Sequence, residues 1–114
     1  MTVKELVEKL DLEVLAGKEG LNREITNGYV SDLLSDVMGF AQEGDVWVTL
    51  QTHKNVMAIA SLKDVAAVIL VKNLQPDEDT AAVANEEDIP VLGTSLSTFE
   101  IVGKLYDAIT NAAV

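Results

Sequence analysis

Ala66 to Val71 is an unbroken apolar run, Ala-Ala-Val-Ile-Leu-Val. A strand with no polar side cannot border water on either face, so it must be covered on both. That requirement points to a sheet with helices packed above and below it.

The flanking sequence agrees. Asp45–Leu50 is a short β-branched and aromatic run, and Val56–Leu62 is an apolar helical segment. Asp77–Asp88 reads as a helix whose acidic first turn, Asp77, Glu78 and Asp79, suits its dipole. Ile89–Leu92 is a third short strand. Ser97-Thr98-Phe99-Glu100 is a capping box, and Leu96 with Ile101 can form a hydrophobic staple. Ile101, Val102, Leu105, Tyr106 and Ile109 continue the last helix. Three strand–helix units thus recur at roughly 22 residues, the pattern of parallel strands with right-handed crossovers.

The N-terminal part is read separately. Thr2-Val3-Lys4-Glu5 is a capping box, and Val3, Leu6, Val7 and Leu10 repeat at helical spacing. Leu12, Val14 and Ala16 alternate with other residues as in a strand. Gly17 to Asn22 reads as a turn in which Gly17 and Gly20 can take positive φ. A second extended segment spans residues 23–30, after which Ser31 and Asp32 cap a short helix carrying Leu33, Leu34, Val37 and Met38. The expected fold over residues 1–114 is a single α/β domain. It is a three-layer sandwich with a mostly parallel sheet, helices on both faces, and an N-terminal helix plus β-hairpin.

Composition narrows the function classes. The chain has no cysteine, which excludes disulfides, thiolate metal sites and cysteine nucleophiles, and is compatible with a reducing cytoplasm. No stretch matches a membrane span or signal peptide, and Met1 leads directly into a capped helix, so a cytoplasmic protein is expected. The 19 acidic residues against 8 basic ones give a net charge of −11. That field repels nucleic acid and anionic lipid, and no cluster of Lys or Arg offsets it, so neither is expected as a partner. Phosphate-loop, dinucleotide and nucleophile-elbow motifs are missing. One histidine cannot build a His-based metal cluster, and no metal or cofactor is expected. Asp32 and Asp36 stand four residues apart; a solvated face with Asp32 as a cap is the plainer reading beside a cation site. Glu86, Glu87 and Asp88 read as a solvated helix end, and Trp47 as core, with an edge-exposed partner contact as the alternative.

Parallel sheets collect ligands where strands end and helices begin. Here those loops carry Gln51, Thr52, His53, Lys54 and Asn55, then Lys72, Asn73 and Gln75, then Thr94, Ser95 and Ser97. They hold the single histidine and two of the eight basic residues. Free N–H groups at helix starts would favour an anion, a phosphate or carboxylate, despite the net charge. The same residue types also serve as plain caps and turns.

Five segments carry a resemblance. The stretches Thr2–Val7, Leu12–Gly17 and Leu21–Ile25 are similar to the start of the HPr kinase/phosphorylase N-terminal domain. Gly28–Met38 and Gly44–His53 look like a stand-alone DRTGG-domain protein. The resemblance implies an α/β accessory domain, found also in phosphotransacetylases and CBS-domain pyrophosphatases, that often dimerises and serves regulation. Kinase activity does not carry over, because that enzyme needs a second domain with a phosphate-binding loop. Aligned by strands, His53-Lys54 stands where the family motif has Asp-Arg, and Val71-Lys72-Asn73 where it has Thr-Gly-Gly. Losing both glycines would remove the close backbone approach they permit.

The expected function is a non-enzymatic regulatory or sensory domain binding a small anionic, nucleotide-like ligand at these loops. One alternative is a homodimerisation module or a docking module for a regulatory protein partner. The other is phosphotransfer through His53.

Overall fold

The computed structural model describes residues 1–111. Among them, helices α1 (Val3–Leu10), α2 (Leu34–Phe40), α3 (Asn55–Lys63), α4 (Glu78–Glu87) and α5 (Thr98–Asn111) surround a sheet. Its strands are β1 (Glu13–Ala16), β2 (Asn27–Val30), β3 (Asp45–Thr49), β4 (Ala67–Leu70) and β5 (Val91–Gly93). Their order is β1-β5-β4-β3-β2. β2 through β5 are parallel, and β1 runs antiparallel to β5.

Side-chain alternation along the strands feeds two cores. Trp47, Val68, Leu70 and Val91 point to the face covered by α2, α3 and α4. Val46, Val48, Ala67, Ile69 and Leu92 point to the face covered by α1 and α5. With a core on each face, β3 and β4 are buried along their whole length, as the unbroken apolar run of β4 requires. Trp47 is fully buried, and its Nε1–H donates to the Ser31 carbonyl at 2.9 Å. That bond satisfies the one polar group a buried indole carries.

The α/β sandwich matches expectation; the hairpin does not. β1 and β2 lie at opposite edges of the sheet. The chain between them turns back under α1 instead: Val3 N–H donates to the Arg23 carbonyl at 3.0 Å and Ile25 N–H to the Met1 carbonyl at 2.9 Å. β2 then pairs in parallel with β3, Tyr29 opposite Trp47. The hairpin reading rested on local turn chemistry, whereas this pairing is set by the crossover through α2. The parallel strand–helix units therefore begin one unit earlier than expected.

Gly17 takes positive φ, +71°, as expected. Gly20 does not, and its reason is space: a Cβ there would stand 2.0 Å from the Asp88 carbonyl oxygen. Arg23 closes this end of the molecule. Its guanidinium donates to the Asp88 carbonyl at 2.9 Å, to Asp64 Oδ1 at 3.1 Å and to the Glu87 carbonyl at 3.4 Å. It thereby places a cation at the C-terminal ends of α3 and α4.

Candidate functional site

All four parallel strands end on one edge of the sheet, so four loops form the rim. Three were expected; residues 31–33 after β2 are the fourth. They were missed because β2 was assigned to a hairpin.

The rim is cross-linked by hydrogen bonds between loops. Asp32 Oδ1 accepts from Thr49 Oγ1 at 2.9 Å and from Leu50 N–H at 2.7 Å. Gln51 Nε2 donates to the Asp32 carbonyl at 3.0 Å. Asp32 therefore fastens the β2 exit to the β3 exit and does not cap α2. Ser31 also sits outside the capping position; its hydroxyl accepts from Leu33 N–H at 3.1 Å. Asp36 is occupied too, accepting from Tyr29 Oη at 2.7 Å. This bond holds the Tyr29 phenol above its ordinary value of 10.0, with partial burial and the charges of Asp36 and Asp45 adding in the same direction. Among the described residues no group of three His, Asp or Glu side chains is placed to hold a metal ion.

Further along, the Thr52 carbonyl accepts from Asp77 N–H at 3.1 Å and from the buried Thr80 hydroxyl at 2.8 Å. The β3 exit is thus seated on the start of α4. His53 Nδ1 accepts from Asn55 N–H at 3.1 Å, so that ring nitrogen is taken up by the first amide of α3. Asn55 itself is the first residue of the helix.

The most distinctive geometry lies between β4 and β5. After β4 the chain passes to α4 on one face; after β5 it passes to α5 on the other. Adjacent parallel strands whose exits part to opposite faces define a topological switch point, the place where open α/β sheets hold ligands. Lys72 and Asn73 stand on one side of it, and Thr94, Ser95 and Ser97 on the other. Lys72 N–H donates to the Leu96 carbonyl at 2.9 Å and Asn73 N–H to the Thr94 carbonyl at 2.8 Å. Both residues are left-handed, with φ of +55° and +60°. Both thus hold a conformation that favours glycine, at a cost of about 1 kcal/mol or more for a residue such as Lys.

These bonds change the expected anion chemistry. The amides of Lys72, Asn73 and Asn55 are all engaged within the protein. The start of α5 is closed by its own capping box, Ser97 Oγ to Glu100 Oε1 at 3.1 Å and Glu100 N–H to Ser97 Oγ at 3.3 Å. The start of α4 carries Glu78 and Asp79. What the rim presents is side chains: His53, Lys54, Asn55, Lys72, Asn73 and Ser95 exposed, Gln51, Thr52, Thr94 and Ser97 half-buried. Among the described residues neither lysine forms a salt bridge.

Comparison with known proteins bears on the family and the fold. The DRTGG domain model matches residues 5–108. The chain is 29% identical to HPr kinase/phosphorylase of Levilactobacillus brevis over 92% of its own length and 39% of that protein. It is 25% identical to the uncharacterized protein YtoI of Bacillus subtilis over 96% of its length and 25% of that protein. The chain thus spans well under half of the curated relatives it matches. In fold it is similar to the CBS and DRTGG domains of the regulatory region of Clostridium perfringens pyrophosphatase, a structure complexed with the activator diadenosine tetraphosphate. The TM-score is 0.67 at 16% identity, over 92% of this chain and 45% of that one. No helix among the described residues is long and apolar enough to cross a membrane. A family match over nearly the whole length, together with this fold, establishes that the chain belongs to the DRTGG domain family.

Proposed function

We propose that this chain is a non-catalytic regulatory module that binds a small anionic, nucleotide-like ligand at the strand-exit rim. The carrying observation is the switch point between β4 and β5, which sets Lys72 and Asn73 against Thr94–Ser97 with Lys54 on the neighbouring exit. Two lysines without a carboxylate partner, beside amides and hydroxyls, supply charge and hydrogen bonds to phosphate oxygens. Because the amides of Asn55, Lys72 and Asn73 are engaged, affinity at those residues rests on their side chains. The activator held by the pyrophosphatase regulatory region belongs to the proposed ligand class.

Thermal denaturation with ATP, diadenosine tetraphosphate and inorganic phosphate tests the reading. A ligand at about 100 times its Kd adds about 2.7 kcal/mol to stability. Lys54→Glu or Lys72→Glu is expected to abolish that gain. If none of the compounds raises the wild-type midpoint, or both variants keep the gain, the reading fails.

A second reading, a module that dimerises or docks a partner protein, is favoured by the apolar side chains α5 and β2 leave exposed, Phe99 above all. Phosphotransfer through His53 is the weakest reading, since its Nδ1 already accepts from Asn55 N–H.

A further inference from the structure

The loops that leave β2 and β3 spend their polar groups inward. The Asp32 carboxylate accepts from the Thr49 hydroxyl and the Leu50 amide, and the Ser31 hydroxyl accepts from the Leu33 amide. What these loops leave to solvent is two leucines, Leu33 at 64% exposure and Leu50 at 36%. Loops ordinarily show the reverse, polar side chains in water. Because Leu50 N–H lies 2.7 Å from Asp32 Oδ1, the two leucines belong to one shelf at the β2–β3 end of the rim. Gln51 borders that shelf and is half-buried. Its Nε2 donates to the Asp32 carbonyl at 3.0 Å, which holds the amide in place. Among the described residues its Oε1 accepts from no protein donor, and no fully buried side-chain oxygen is left without one, so Oε1 is open to a ligand.

We propose that this shelf seats the base of a nucleotide whose phosphates lie on Lys54 and Lys72, and that Gln51 Oε1 selects a base carrying an exocyclic amine, as adenine does. The proposal rests on the ligand-binding reading above and assigns the other half of the ligand. Size selects the occupant. A stable protein contact covers about 800 Å² a side, far more than two leucine side chains present, whereas a planar base is of their size. Position agrees with it. Neighbouring strands lie about 4.8 Å apart, so the β2–β3 shelf stands two spacings, roughly 10 Å, from the β4–β5 switch point, about the reach of a nucleoside triphosphate from base to last phosphate. Lys54, on the β3 exit, falls between the two ends. Hydrogen bonding then sets the choice of base. The leucines accept any flat ring, but an amide oxygen is an acceptor only. The amine of adenine donates to it; the ring carbonyl of hypoxanthine at the same place sets two acceptors face to face.

Calorimetric titration of the full chain with ATP, inosine triphosphate and inorganic tripolyphosphate tests it. ATP is expected to bind about tenfold or more tightly than either of the others. Leu33→Ser, an exposed change whose hydroxyl suits the N-cap position that Leu33 occupies, is expected to remove the advantage of ATP over tripolyphosphate and to leave tripolyphosphate binding unchanged. Gln51→Met is expected to bring ATP and inosine triphosphate to equal affinity. Failure of all three compounds to bind the wild type overturns the ligand-binding rim itself. Tripolyphosphate bound as tightly as ATP, or ATP binding indifferent to Leu33→Ser, leaves the rim standing and overturns the shelf. ATP and inosine triphosphate bound alike by the wild type overturns the selection by Gln51.

Discussion

At the residue scale the rim turns on positions whose roles sequence pattern reads poorly. Lys72 and Asn73 stand where alignment by strands would put the glycines of the family motif, and that placement by itself implies a lost conformation. The conformation is instead kept, because backbone bonds to Leu96 and Thr94 hold both residues left-handed. A lysine at such a position, against its intrinsic preference, fits the proposed use of its side chain at the rim. Lys72→Gly is therefore expected to raise stability by about 0.5–1 kcal/mol while weakening nucleotide binding, as seen by urea unfolding and calorimetric titration. Loss of stability together with unchanged binding would argue against a functional Lys72. Asp32 shows the same limit of local reading. It precedes a helix and looks like a cap, yet its carboxylate serves the β3 exit. Tyr29 supplies a pH prediction. Its phenol is raised in the folded state, so its share of stability is complete below the ordinary value of 10.0 and is lost as pH climbs through the folded value. Unfolding midpoints should fall above about pH 10, and Tyr29→Phe should reduce that fall. An unchanged pH profile in the variant would remove Tyr29 as its source.

The element scale shows what the sequence made legible and why. Both capping boxes, the buried strand Ala66–Val71 and the acidic start of α4 were readable, because each depends on residues within one turn or one strand. The misplaced β2 depends on a partner reached only through α2, which no local turn signal reports. The C-terminal caps are a further feature of this scale. Asp11, Asp64 and Asp88 end α1, α3 and α4 in the left-handed region, with φ of 54°, 53° and 54°. An aspartate there carries both a backbone cost and a negative charge at the wrong end of the dipole. Asp64 recovers part of this through Arg23. Asp88 gives Arg23 only its carbonyl, so Asp88→Gly should stabilise by about 0.5–1 kcal/mol in chemical denaturation. A destabilised Asp88→Gly would mean that its carboxylate has a role outside the cap.

For the whole molecule, the sheet order decides where the proposed ligand rim lies. The β4–β5 switch point presents the rim, and α5 leaves β5 to cross over β2 and β3 on the other face. Helix α5 follows directly on the rim loop that holds Ser97. The most direct measurement is an amide chemical-shift titration of the labelled chain with ATP and with diadenosine tetraphosphate. Saturable shifts are expected at residues 51–55, 72–73 and 94–97, lost in Lys72→Glu. Shifts absent at any concentration, or confined to residues away from the strand exits, would contradict a ligand-binding rim.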